Sequence, residues 1–106
     1  MNLLFIHQNF PGQYRHLAPA LLAAGHRCEA IATAEALGLP GIPLHRYRPR
    51  ADPAPAGLHP WAHDLHVKCV RAEAVAHQAD QLRRSGFLPD LIIGHPGWGE
   101  LLAIKD

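Results

Sequence analysis

The chain has 106 residues, about one domain, with enough hydrophobic residues (48%) for a buried core. Its charged share of 18% is below the usual ~25% and argues against disorder throughout. A net charge of +1 argues against a dedicated nucleic-acid binder, whose footprint would gather Lys and Arg on one face.

Taken in chain order, Asn2 to His7 reads as a strand, because Leu3-Leu4-Phe5-Ile6 is a short apolar run closed by a loop. The loop is His7-Gln8-Asn9-Phe10-Pro11-Gly12-Gln13. A helix is expected from about Gly12 to Ala24, where Tyr14, Leu17, Ala18, Leu21 and Leu22 recur at helical spacing. Gly25 suits its end. Pro19 removes a backbone donor, so a kink is expected, or a regular helix that starts only near Pro19.

Arg27 to Thr33 alternates in its first half and reads as a second strand. Ala34 to Gly41 is a short helical turn or loop. Pro43 to Tyr47 is a third strand near an edge, since Pro43 cannot donate to a ladder. Arg48 to Pro60 holds four prolines and a glycine and is a loop with polyproline character. Trp61 to Ser85 is the longest helical signal, with Pro60 in the first turn and Gly86 as the stop. Leu65, Cys69, Ala72, Val75 or Ala76, Ala79 and Leu82 form its expected buried stripe. Leu91 to Gly94 is the last strand, and a further helix begins near Trp98.

Strands that alternate with helices imply an α/β fold with a parallel sheet and right-handed crossovers. The expected spatial order is 3-2-1-4. That is a Rossmann-like half-domain over residues 1–106. The last helix has no cap and no following strand by Asp106, so this is expected to be an N-terminal piece of a longer protein.

In this order the first and fourth strands are neighbours, and their connections leave toward opposite faces. The crevice at their carboxyl ends is a topological switch point, where ligands bind in open α/β sheets. His7, Gln8, Asn9, Pro11, Gly12 and Gln13 from one loop would face His95, Gly97, Trp98 and Glu100 from the other. Pro11-Gly12-Gln13 opening a helix would offer free N–H groups to an anion. The alternative is an ordinary turn, because neither a GxGxxG nor a P-loop fingerprint is present. His95 could donate to a sugar hydroxyl or phosphate, or be satisfied by backbone. Glu100 could contact hydroxyls or favour its helix terminus. Trp98 is a sugar platform or a core anchor.

His59, His63 and His66 lack an obvious fourth ligand, which favours a polar helix face over a zinc site. Arg46, Arg48 and Arg50 could meet a phosphorylated ligand or line a solvated edge. Cys28 and Cys69 are isolated, with no CxxC, and fit a reducing cytoplasm. No apolar stretch approaches the ~20 residues of a membrane span. No cofactor or metal is expected.

The segment MNLLFIHQNFPGQYRHLAPALLAAGH resembles the opening of bacterial family-4 glycosyltransferases of the GT-B fold. The resemblance continues through HRYRPR, HPW, RAEAVA and GFLPDLIIGHPGWGELLAIKD. It is weakest at Ala34 to Gly41 and Ala51 to Leu58. It implies two Rossmann-like domains around a cleft. The N-terminal one mostly holds the acceptor and the absent C-terminal one mostly binds a nucleoside diphosphate sugar. It implies transfer with retention, without a metal, in polysaccharide or glycoconjugate synthesis. Pro11-Gly12-Gln13 would border the donor's phosphates, and His95 would lie beside the donor sugar as the candidate catalytic residue. The residues themselves leave two alternatives, a non-catalytic Rossmann-like nucleotide- or sugar-binding module and a His-rich metal-binding domain. A cytoplasmic location is expected, with peripheral docking at the inner membrane face left open. No nucleic-acid partner is expected. The fragment alone is expected to be inactive and to self-associate as a homodimer through its last strand or helix.

Overall fold

The computed structural model describes residues 1–48, 56–95 and 101. Four strands, β1 (Asn2–Ile6), β2 (Arg27–Thr33), β3 (Leu44–Tyr47) and β4 (Leu91–Gly94), form one parallel sheet in the order β3-β2-β1-β4. This is the α/β architecture expected from the alternation of apolar strands and helices. Leu3 pairs with Cys28 on one side and Leu91 on the other, and Ile6 pairs with Ile31 and Gly94.

The pleat sends alternate side chains of β1 to opposite faces. Leu3 and Phe5 join Cys28, Ala30 and Ala32 beneath the first helical segment. Leu4 and Ile6 join Ile31 and Tyr47 against the long helix, with Val75, Leu82 and Phe87. β1 and β2 are buried on both faces, which is why their sequences read as near-continuous apolar runs.

The first helical segment is shorter than its periodicity suggests. A 3-10 turn (Gly12–Tyr14) is followed by a break, and α1 (Leu17–Ala23) starts only there. Pro19 then falls in the first turn, where backbone N–H groups have no helical partner to lose. The Pro19 difficulty is met by delaying the helix and not by kinking it.

α2 (Pro60–Arg84) has Pro60 at its first position and His59 as cap, whose side chain accepts from the Trp61 N–H. At its end Gly86 N–H donates to Arg83 O (3.0 Å) and Phe87 N–H to Leu82 O (3.2 Å). That closure carries the buried Phe87 ring into the core. The stripe is only half as expected. Ala72, Val75 and Leu82 are buried, but Leu65 and Cys69 are exposed, and full burial begins at Val70. The reason is length. A 25-residue helix runs about 37 Å, whereas strands of 4–7 residues span roughly 13–23 Å. The first turns of α2 therefore reach past the sheet.

Residues 34–43 cross from β2 to β3 without a helix. Ala36 and Ile42 plug into the core, and a bridge joins Leu39 to Ile42. Pro43 stays outside β3, as its missing N–H requires, while its carbonyl accepts from Ala30 N–H (2.9 Å). The helix expected from Trp98 lies outside the described residues. No described helix is long and apolar enough to cross a membrane.

Candidate functional site

The register places the two loops side by side. Ile6 and Gly94 are the last paired residues of β1 and β4, so His7 and His95 are each the next residue out. Their rings meet edge-on, with centroids 6.2 Å apart and planes at 80°. The chain then leaves β1 toward α1, while Leu101 packs with the core beneath α2. The first loop thus leads to the α1 face while Leu101 lies on the α2 face, and His7 and His95 stand at the carboxyl edge of the sheet between them.

His7 is 7% exposed and fixed from several directions. Its backbone N–H continues the ladder to Ile31 O (3.1 Å). Its Nδ1 accepts from the Asn9 N–H at 3.1 Å. An accepting Nδ1 leaves the proton of the neutral ring on Nε2, which makes Nε2–H a donor. Tyr14 meets the same ring edge-on at 5.7 Å, and Phe5 packs against Phe10 and Tyr14 at 5.6 and 5.4 Å. The site histidine is therefore seated on an aromatic floor.

Gly12 is the other constrained position. Its φ of +46° lies in the left-handed region. A Cβ there would stand 2.5 Å from His7 Cε1 and 2.9 Å from Nδ1 and Nε2. Gly12 is thus needed first for the close approach of its own His7 ring. The expectation that Pro11-Gly12-Gln13 opens an α-helix is not met. These residues form a 3-10 turn, with Tyr14 N–H already bonded to Pro11 O (2.7 Å), and the seven-residue α1 begins further on. The Phe10-Pro11 peptide is cis.

The rest of the loop is tied to β2 and its following turn. The Gln8 carbonyl accepts from Thr33 N–H (3.0 Å) and Thr33 Oγ1 (2.8 Å). Phe10 O accepts from Gly38 N–H (3.0 Å). Pro11 is buried, Gln8 and Gly12 are half-buried, and Asn9 and Gln13 are exposed. On the other loop, Gly94 is pressed by Leu101, whose Cδ2 would stand 2.8 Å from an added Cβ. Gly97, Trp98 and Glu100 lie outside the described residues.

Sequence reasoning missed two features. Thr33, the residue that anchors Gln8, carries no motif; only its place at a strand end hints at it. Glu29 is buried in mid-strand (4% exposed). Arg27 approaches it at 3.0 Å and His45 Nε2 at 2.7 Å, while the Arg27 guanidinium lies 5.0 Å over the Phe87 ring. A carboxylate between apolar strand residues was the available signal, but its partner on β3 depends on a register that no local pattern reveals.

The arginines divide. Arg46 Nη1 donates to the carbonyls of Thr33 (3.2 Å), Ala34 (2.7 Å) and Ala36 (2.8 Å), so it holds the β2–β3 connection. Arg48 is exposed at the end of β3, and Arg50 lies outside the described residues. Among the described residues no group of three His, Cys, Asp or Glu side chains could hold a metal ion, and His59 is used as a helix cap. Burial pushes the Cys28 thiol up from its ordinary value, opposed by the nearby N-terminal charge.

No curated protein and no solved structure matches the chain. Residues 24–106 match the glycosyl transferase family 4 group, a stretch that takes in β2, β3, α2, β4 and His95 but starts after the His7–Gly12 loop. With most of its length matched, and with a parallel sheet whose strand ends gather the two histidine loops, the chain belongs to the glycosyl transferase family 4 group.

Proposed function

We propose that this chain is the N-terminal, acceptor-side half-domain of a two-domain retaining glycosyltransferase. The enzyme moves a sugar from a nucleoside diphosphate sugar to a hydroxyl, in polysaccharide or glycoconjugate synthesis. The bond from the anomeric carbon to phosphate breaks, a bond to the acceptor oxygen forms, and the nucleoside diphosphate leaves as the hydroxyl proton is lost. The supporting observation is the meeting of His7 and His95 at the switch point, one residue beyond the paired ends of β1 and β4.

His95 donates to the donor sugar or its phosphate and orients it. The His7–Gly12 loop, preorganised by Asn9, Tyr14 and Thr33, borders the departing phosphates. Preorganised donors stabilise developing charge without reorganising during the reaction. Gln8, Asn9 and Gln13 contribute amides at the loop surface. Gly97, Trp98 and Glu100 are assigned to donor or acceptor contacts from the family resemblance, and a C-terminal domain supplies most donor contacts.

The test uses the full-length protein, titrated calorimetrically with a panel of nucleoside diphosphate sugars and then supplied with hydroxyl acceptors. Binding followed by formation of a product with the donor's anomeric configuration supports the proposal. Binding without turnover on any acceptor favours a sugar-binding module, and absence of binding refutes both.

A further inference from the structure

The basic run His45-Arg46-Tyr47-Arg48 divides its charges unevenly. His45 is held by Glu29 and Arg46 by three carbonyls. The Arg48 side chain makes no hydrogen bond or ion pair among the described residues. It stands at the carboxyl end of β3, on the same edge of the sheet as His7.

Two hollows share Arg48. One, of about 390 Å³, is lined by Thr33, Ala34 and Glu35 from the end of β2, with Tyr47 and Arg48 from β3. The other, of about 310 Å³, lies between Arg48 and Val70, Glu73, Ala74 and His77. Those four recur at i, i+3, i+4 and i+7 and so form one face of α2. Each volume falls in the range that takes a small ligand, roughly 300–1,000 Å³.

The larger hollow is joined to the first loop. Thr33 lines its wall and also donates twice to the Gln8 carbonyl. Its Thr33–Glu35 wall is held in place by Arg46, which grips the carbonyls of Thr33, Ala34 and Ala36. The result is a built wall beside an uncommitted guanidinium.

We propose that this hollow seats an acceptor that carries one anionic group, phosphate or carboxylate, beside its hydroxyls. It rests on the glycosyltransferase reading only in naming the occupant an acceptor. Arg48 grips the anion, because the planar fork of a guanidinium matches two oxygens of a phosphate or carboxylate. Glu35 accepts from hydroxyls. Its carboxylate, lining the same hollow, also sets the selectivity, because it repels a polyanion and leaves room for a single charge neutralised by Arg48.

The experiment uses the full-length enzyme and three sugar probes, namely glucose 6-phosphate, glucuronate and neutral glucose, titrated calorimetrically. At least one charged sugar should bind about 10-fold or more tightly than glucose, the size expected for a charge-assisted hydrogen-bonded pair. Arg48→Gln should remove that margin and Arg48→Lys should keep part of it, with thermal melting confirming that both variants are folded. The larger margin of the two identifies phosphate or carboxylate as the recognised group. Equal affinity for charged and neutral sugars, or a margin that survives in folded Arg48→Gln, overturns the proposal. So does inorganic phosphate binding as tightly as glucose 6-phosphate, since the hydroxyls would then contribute nothing. Titration of the same enzyme with nucleoside diphosphate sugars is read separately. Failure there, with the Arg48 margin intact, overturns the glycosyltransferase proposal and leaves the anion site standing.

Discussion

Adding one methyl group at Gly12 should disorganise the candidate site through its own histidine. In Gly12→Ala the new Cβ sits 2.5 Å from His7 Cε1, well inside contact distance, and the backbone is at φ +46°. The left-handed conformation costs a non-glycine residue about 1 kcal/mol. Forcing a ring that is 7% exposed and packed edge-on against Tyr14 to move adds about 2 kcal/mol of overpacking. The expected loss is therefore about 3 kcal/mol. The two parts separate in a double-mutant cycle with His7→Ala. With the ring gone, only the backbone cost remains, so Gly12→Ala should then cost about 1 kcal/mol, a coupling of about 2 kcal/mol. Chemical denaturation of the four proteins measures it. A coupling below about 0.5 kcal/mol would show that Gly12 is needed for backbone conformation alone and that the contact with His7 does not constrain it.

Three further outcomes follow from the same geometry. Glu29→Ala should cost about 2 kcal/mol by denaturant titration, because it removes a buried carboxylate that is hydrogen-bonded to His45 and ion-paired with Arg27. Arg27→Ala, at the 63% exposed end of that pair, should cost less than about 1 kcal/mol; equal losses would mean the carboxylate's burial is irrelevant. A thiol-reactive reagent should label the exposed Cys69 quickly and Cys28 only on unfolding, since Cys28 is buried and its thiol is pushed toward the protonated form; comparable rates in the folded protein would contradict the core packing. In the full-length enzyme His95→Ala should lower turnover about 10-fold or more, the loss of one hydrogen bond to a charged or developing-charge group, and unchanged kinetics would remove His95 from the site.

Much of this was legible because short apolar strands leave little choice. Leu3-Leu4-Phe5-Ile6, in the interior strand β1, and Leu91-Ile92-Ile93, in the edge strand β4, are too short and too apolar for surface helices, and the alternation with helices then dictates parallel order. The meeting of His7 with His95 follows from that order alone. What could not be read depends on distances between segments. The stripe of α2 is set by where the sheet ends and not by helical spacing, so Leu65 looked like core and Val70 did not. Glu29 finds His45 through the β2–β3 register. The start of α1 is decided by how the His7–Gly12 turn packs, which periodicity from Tyr14 to Leu22 does not encode. Gly12 was conspicuous as a glycine, but the imidazole that requires it is five residues away and reaches it only in the folded loop.

The Arg46 clamp has a consequence for how the molecule fails. A parallel pair is usually bridged by a helix, whose own ladder satisfies its carbonyls. Here one side chain performs that task for Thr33, Ala34 and Ala36 at the solvent boundary. If the guanidinium lets go, water can take over those carbonyls, while Ala36 and Ile42 keep the connection anchored in the core beneath α1. The clamped backbone of the connection is thus a low-lying local unit within a more stable sheet. Its order should be lost under conditions that leave the melting temperature untouched, and hydrogen exchange at Gly38 would register that loss while global unfolding would not.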